Sequence, residues 1–596
     1  MRARDRLVLV LVLVLMGCGG GAERGPPEVD VERVVAHAEQ LATAVGPRPF
    51  DSRESALAAA YIEDELRAMG LSPERIVLGA VDLPPVRVAG RTTVPARIAE
   101  VDRDADIVVR LAGAAPGPAL VLMAHYDTVP GSPGALDNAA SVGLLLELTR
   151  ALIARPPARP VVVAFTAAEE IGLVGAVVLA RDMVAPVGLA VSLDLVGADQ
   201  TVMNGLGPLM GRPWLVWLHA AADDAGVAVP PPRPHRVVSR LAPEMERSDH
   251  GPFARAGVPA LHLYGRGASR IFRPYHSPWD TTRWIDRAVL DTAARFVAAV
   301  ARRPGPLPRS GGDPGLVVAF GDHWTVIPRA LGIALELALA LAALLALAVL
   351  VRRWRRDRAA RAAARERTIG LAWILACAIV AWAAAIGIDL VVARTDHPIP
   401  WIHAPATWIG IALACAALVG LLLWLGPPGA RALAGRGRFA AAGAIPMLLA
   451  GAALLAAGAH ELAWAPFLAA ALLAAGALST GVPGVCAYLL SLITILPAVE
   501  PGFVQELAFH QIFAPGTSLP LYLAAVLAPH SIAAVPHLAR LLPRRPSARH
   551  RAIAATVAAV LLVALALGAA RTAHRAPCDA AAFARHGIAC ELAPPR

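Results

Sequence analysis

The stretch VVVAFTAAEEIGLVGAVVLARDM, residues 161–183, carries the fold in miniature. It opens on an unbroken apolar run, Val161 to Phe165, rich in β-branched side chains. A strand of that kind has no polar face, so both of its faces must be covered, as in a parallel sheet between helices. Two acids follow, Glu169 and Glu170, and then an apolar segment from Gly172 to Met183 with helical spacing. Strand, acidic turn and helix together form half of a β-α-β unit.

The same alternation spreads outward from this stretch. Strand-like runs recur at DIVVRLAG (106–113), PALVLMAHYD (118–127), LAVSLDLV (189–196) and VPALHLYG (258–265). The helical segment NAASVGLLLELTRALIA (138–154) separates two of them, and VERVVAHAEQLATAV (31–45) and ESALAAAYIEDELRAMG (54–70) precede them all. The expected architecture of residues 28–302 is therefore α/β, a mostly parallel central sheet flanked by helices. A Pro/Gly-rich stretch, RPGPLPRSGGDPG, begins a linker over 303–328, which ends in the strand-like piece LVVAFGDHWTVIP.

At 596 residues the chain is too long for one domain, and its second half is dominated by Ala, Leu, Val and Ile. The mean hydropathy of +0.56 comes largely from there. Apolar stretches long enough to span a bilayer recur near 329–351, 369–393, 407–426, 439–459, 463–480, 484–500, 519–538 and 552–570. They predict a polytopic α-helical membrane domain of about eight spans over 329–571, with a tail at 572–596. The chain has no Lys, so Arg supplies all 55 basic residues behind the net charge of +10. Those Arg residues cluster at 352–367, 429–439 and 539–551, beside apolar spans, which excludes a nucleic-acid-binding face and fits cytoplasmic loops. Residues 28–302 and the tail then lie outside, so the expected location is a bacterial cytoplasmic membrane with the α/β domain on the periplasmic side. The N-terminus, MRARDR before VLVLVLVLMG, reads as a signal peptide over residues 1–18 and demands the same orientation. Its Leu15-Met16-Gly17-Cys18 ending resembles a lipoprotein cleavage box, which implies a lipidated Cys18. Cys578 and Cys590 in the tail are candidates to pair outside the cell, while Glu336 and Asp389 fall towards the outer ends of their spans.

The chemistry concentrates in four short motifs around the acid pair: AHYD, ALDNAAS, SLDLVG and YHSPWDT. They contribute His125, Asp137, Asp194 and His276. Imidazoles and carboxylates suit zinc, and two ions about 3.5–4 Å apart need one bridging carboxylate. Asp137, just before a helix, suits the bridge; His125 and Asp194 would serve one ion, Glu170 and His276 the other. Glu169 is left to move a proton, and Asp127 to orient the His125 ring. Each residue alone is a weak signal; their order and local settings together are strong.

That combination resembles the co-catalytic di-zinc exopeptidase family that includes soluble bacterial aminopeptidases and glutamate carboxypeptidase. The matching stretches are AHYDTVPGSPGALDNAAS, FTAAEEIGLVGA, SLDLVG, SDHGPFARAGVPAL and YHSPWDT, with the early GPRPFDS. The resemblance implies two Zn2+ held by His125, Asp137, Glu170, Asp194 and His276, with Glu169 as general base. It implies hydrolysis of a peptide substrate, more in the manner of an aminopeptidase than of a carboxypeptidase. A peptidase domain followed by many spans is similar to the membrane branch that contains endoplasmic reticulum metallopeptidase, which adds the lipid bilayer as a partner. One departure stands out. Soluble aminopeptidases place a Tyr three residues before Ser-Asp-His, where this chain has Met245; Tyr275 takes the oxyanion role in this reading, with Arg247 as rival. The competing readings are a non-catalytic peptidase-like scaffold, a single-zinc glutaminyl cyclase-like acyltransferase, and an accessory domain of a transporter.

Overall fold

The computed structural model describes residues 28–83, 86–88, 92–94, 97–183, 186–198, 200–204, 209–229, 248–266, 275–320, 323–356, 438–456, 460–479 and 482–495, with a few isolated positions beyond. The strands in chain order are β1 (Glu74–Leu83), β2 (Val86–Val88), β3 (Thr92–Val94), β4 (Arg97–Leu111), β5 (Ala119–His125), β6 (Val161–Thr166), β7 (Val187–Asp194), β8 (Gln200–Asn204), β9 (Ala260–Arg266), β10 (Leu316–Phe320) and β11 (His323–Ile327). Seven of them form one sheet in the order β1-β4-β6-β5-β7-β9-β8. The central pairs β6/β5, β5/β7 and β7/β9 are parallel, while β1/β4, β4/β6 and β8/β9 are antiparallel. The sheet is therefore mixed, and the expectation of a mostly parallel one holds only for its centre. Between β1 and β4 the described residues form the β2/β3 hairpin and no helix, so the chain returns antiparallel, whereas the central strands are separated by the helices that a parallel crossover needs.

The unbroken apolar runs are explained by burial on both faces. Every residue of β5 and β6 is buried. Along β5, Leu120, Leu122 and Ala124 enter the larger core, beneath the helices Val31–Glu39, Arg53–Ala68, Ala140–Ala154 and Arg287–Arg302. The alternate residues Ala119, Val121 and Met123 enter a second core with Leu179 and Phe253, from the helices Val174–Asp182 and His250–Arg255. Each Val or Leu so enclosed contributes roughly 1.5–3 kcal/mol, and a strand covered on both faces gains this at successive rather than alternate positions. Helix starts are fixed locally: Asp30, Ser52 and Asp286 accept hydrogen bonds from first-turn amides.

The 303–328 stretch read as a linker is docked onto the α/β domain. Arg212 N donates to Asp313 O (2.6 Å), Arg212 Nε to Val326 O (3.0 Å) and Trp324 Nε1 to Val229 O (2.8 Å), so the β10–β11 hairpin lies against the helix Arg212–Ala225. The helix that follows, Arg329–Arg356, is long and apolar enough over Arg329–Arg353 to cross a membrane. Shorter apolar helices, Gly443–Ala456, Ala463–Leu478 and Val482–Ile493, overlap three more of the expected spans. The other four expected spans lie outside the described residues but for isolated positions, and Cys18, Met245, Arg247, Asp389, Cys578 and Cys590 lie outside them too. Glu336, in the first turns of the helix Arg329–Arg356, is fully buried.

Candidate metal centre

Register brings the motif ends together. His125, the last residue of β5, is paired with Thr166 at the end of β6, and Asp194, the last of β7, with Tyr264 of β9. The carboxyl ends of four parallel strands thus open on one place, where ligands gather in open α/β sheets. Asp137 reaches it from an irregular turn that starts at Gly134 (φ 60°) and leads into the helix Ala140–Ala154. A Cβ on Gly134 would meet Asp137 O at 2.3 Å, so only glycine fits there. Glu169 and Glu170 follow β6 after Ala168, whose φ is +55°. His276 and Leu195 also have positive φ, so the backbone is strained at several points beside the cluster.

The side chains form two overlapping triads, His125–Asp137–Asp194 and Asp137–Glu170–His276, in each of which the ligand atoms lie within 4.8 Å of one another. Asp137 is common to both. Its Oδ1 stands 3.3 Å from His125 Nε2 and its Oδ2 3.0 Å from His276 Nε2. His125 Nε2 is 3.7 Å from Asp194 Oδ1, and His276 Nε2 is 3.2 Å from Glu170 Oε2. Glu169 joins a third grouping with His125 and Glu170. Asp127 stands behind them: the carbonyl oxygen of Asp127 is 3.2 Å from His125 Nδ1, while its carboxylate is 3.6 Å away. The two oxygens of that carboxylate also accept from the amides of Glu169 (3.1 Å) and Glu170 (3.2 Å). The ring of Tyr275 stacks on His276 at 3.7 Å between centroids.

The electrostatics are those of a cluster short of positive charge. Burial pushes the Glu169 carboxyl well above its usual range, and neighbouring Glu170, Asp194 and Asp249 add to that against the pull of His125. Glu170 is raised too, by burial and by Asp137, despite His276. Burial works against ionisation of Asp137 and Asp194 as well, but the adjacent imidazoles, His125 and His276 for Asp137 and His125 and His262 for Asp194, leave both below the usual range. The two imidazoles are raised well above theirs: burial opposes this, and the charges of Glu169 and Glu170 and the surrounding carboxylates outweigh it. Burial pushes the Tyr275 hydroxyl up, and four acids push it further. The buried oxygens Glu170 Oε1 and Asp194 Oδ1 have no hydrogen-bond partner among the described residues. Oxygen and imidazole donors, converging and partly unsatisfied, fit zinc.

Three further residues organise the centre, and the sequence reading gave them no role. Arg48, fully buried, donates to Tyr126 O, Pro133 O and Gly134 O, which ties GPRPFDS to the loop between His125 and Asp137. Asp280 accepts from Leu136 N (2.8 Å) and Asp137 N (3.0 Å), fixing the shared ligand. His262 Nε2 stands 3.6 Å from Asp194 Oδ2, with its ring stacked between His250 and Tyr264. Their motifs were visible in the sequence; that Arg48 and Asp280 are buried and aimed at backbone, and His262 at Asp194, was not.

An α/β sheet with imidazoles and carboxylates gathered at its strand ends offers the donor set of a zinc site where such sheets bind ligands. Residues 106–301 match peptidase family M28, which bears out the resemblance to the co-catalytic zinc exopeptidases. The chain is 30% identical over 186 residues to aminopeptidase YwaD of Bacillus subtilis, covering 30% of this chain and 39% of that protein. It is 36% identical over 90 residues to a vacuolar membrane protease of Meyerozyma guilliermondii, covering 14% of this chain and 9% of that one. These matches thus span well under two thirds of the relatives' lengths. A solved zinc aminopeptidase from Bacillus subtilis, BSAP, is similar at 16% identity and a TM-score of 0.38, over 49% of this chain and 100% of that chain.

Proposed function

We propose that the chain is a membrane-anchored, two-zinc exopeptidase that removes residues from the amino end of peptides outside the cytoplasmic membrane. The observation that carries this reading is the pair of triads sharing Asp137. One set, His125 and Asp194, would hold one ion; Glu170 and His276 would hold the other; Asp137 would bridge. Zinc held there supplies Lewis acidity, polarising a carbonyl and making water easier to deprotonate at neutral pH.

The chain's own groups do the rest. Asp127 fixes the Glu169–Glu170 turn through two amides, so that Glu170 is available as a ligand and Glu169 to the reacting water. Glu169, whose affinity for a proton is raised by burial, takes a proton from water and delivers it to the departing amine. Tyr275, held against His276, donates its hydroxyl proton to the developing oxyanion. The fully buried Arg48 offsets part of the carboxylate charge. The apolar helix Arg329–Arg353 and the further apolar stretches anchor the domain, in about eight spans, at a bilayer.

Metal analysis of the purified full-length protein tests the reading, together with aminoacyl-anilide hydrolysis. We expect about two zinc per chain, and Glu169→Gln to keep the metal while losing on the order of 10²–10⁴-fold in kcat. One zinc or none, or undiminished turnover in Glu169→Gln, would overturn it.

A further inference from the structure

The segment Thr166 to Glu170 ends β6 and carries the acid pair, and three carboxylates from elsewhere in the chain grip it. Asp127 takes the amides of Glu169 and Glu170. Asp106, on β4, accepts from Ala167 N at 3.0 Å. Asp249 accepts from the Thr166 hydroxyl at 2.5 Å. Both Asp106 and Asp249 are fully buried, and their second oxygens, Asp106 Oδ2 and Asp249 Oδ1, have no hydrogen-bond partner among the described residues. Burying a carboxyl group that way is costly, so the retained acids invite an explanation.

The gripped turn supplies one. Ala168 sits at φ +55°, a conformation an L-residue adopts only when its surroundings enforce it. The chain passes so close to Asp106 that a Cβ on Gly175 would lie 2.1 Å from Asp106 Oδ1. Asp249 is itself held firmly: Ser248 Oγ lies 2.8 Å from Ser192 Oγ of β7, and the His250 ring stacks on His262 of β9. The tripeptide Ser248–Asp249–His250 thus touches three strands whose ends form the centre.

We infer that Asp106 and Asp249 are positioning residues, which lock the Thr166–Glu170 turn so that Glu169 faces His125 and Glu170 faces His276. Their catalytic consequence rests on the exopeptidase reading above; their hold on the turn does not.

The test is a double-mutant cycle in the full-length protein, Asp249→Ala, Thr166→Val and the pair, with Asp249→Asn as the conservative variant. Asn keeps an oxygen that accepts from Thr166, and Thr166→Val breaks the same bond should Asp249→Ala fail to fold. Hydrogen exchange at residues 167–172 of the metal-free protein is read alongside kcat, KM and bound zinc. Each single variant is expected to speed exchange in that segment at least about tenfold, with other strands unchanged. Turnover should fall about 10- to 100-fold with KM within about twofold, because an ångström of misplacement costs that much. The pair should be no worse than the worse single, and Asp249→Asn should recover to within about threefold. Additive losses, or unchanged exchange in the segment with only a lower Tm, would overturn the inference. If wild-type protein holds no zinc, the exopeptidase reading fails while the exchange measurement still decides the positioning role.

Discussion

Arg48 is the residue whose replacement should report most directly on how the centre is assembled. Its guanidinium is fully buried and donates five hydrogen bonds, all to backbone carbonyls: Tyr126 O (2.6 Å), Pro133 O (2.6 Å), Gly134 O (3.0 Å), Leu41 O (3.3 Å) and Gly46 O (3.3 Å). Burial lowers its pKa to about 10 against the support of Asp280, Asp127, Asp137 and Glu170, so it stays charged at neutral pH. In Arg48→Met the stem volume is retained and the donors vanish. Leu41 O and Gly134 O keep a second donor, Gly46 N and Ala139 N, and lose little, and Gly46 O loses only a long contact of 3.3 Å. Tyr126 O and Pro133 O lose their shortest bonds, and each acceptor stranded in the interior costs roughly 1–3 kcal/mol. The buried carboxylates also lose a compensating charge, so the total is about 3–4 kcal/mol. For a domain of this size that lowers Tm on the order of 10 °C. Arg48→Lys keeps the charge without the planar fork and should fall about midway. The assay is thermal unfolding of zinc-loaded protein in detergent, followed by tryptophan fluorescence, with bound zinc measured in parallel. A shift under about 2 °C for Arg48→Met would refute the reasoning, because the loop from Tyr126 to Gly134 would then be held by something else.

Two further outcomes follow from charge. Burial raises the Asp104 carboxyl to about 6, against hydrogen bonds from Asp51 N and Ser55 Oγ. A carboxyl raised in the folded state favours folding below the ordinary aspartate range, and that benefit is lost as pH climbs through 6. The wild type should therefore lose up to about 3 kcal/mol between pH 4 and pH 7.5 from this group, since each tenfold gain in proton affinity on folding is worth about 1.4 kcal/mol. Asp104→Asn should flatten that slope in Tm measured against pH, and an unchanged slope would count against it. Removing metal should destabilise the α/β domain, since Asp137, Glu169, Glu170 and Asp194 are left facing one another. Chelation should lower Tm, and zinc added back at about a hundred times its Kd should restore roughly 2.7 kcal/mol per site; a Tm indifferent to verified metal loss would contradict the fit of the cluster to zinc.

Much of this protein was legible from local pattern alone. Continuous apolar runs at 118–124 and 161–165 required a sheet covered on both sides, and the structure buries every residue of β5 and β6. Motif order brought out His125, Asp137, Glu169, Glu170, Asp194 and His276, because ligand chemistry depends on residue type and strand-end position, both of which a sequence displays. The edges of the sheet were not legible: β4 pairs antiparallel with both its neighbours, a choice made by how the chain returns rather than by the composition of the strand. Nor was the 303–328 stretch, whose Pro/Gly content suggested a free connection while Trp324 and Asp313 pin it to the domain.

The sequence by itself determined the α/β character, the apolar second half and the donor set, since each follows from periodicity or residue chemistry along the chain. Tertiary structure alone decided that Asp137 lies between two imidazoles, that the Asp127 carboxylate beside the His125 ring also grips two amides, and that Arg48, Asp106, Asp249 and Asp280 brace the centre. The reason is physical. A buried polar side chain is defined by the partner it meets across the fold, and Asp280 meets Asp137 from 143 residues away. No local pattern encodes that distance.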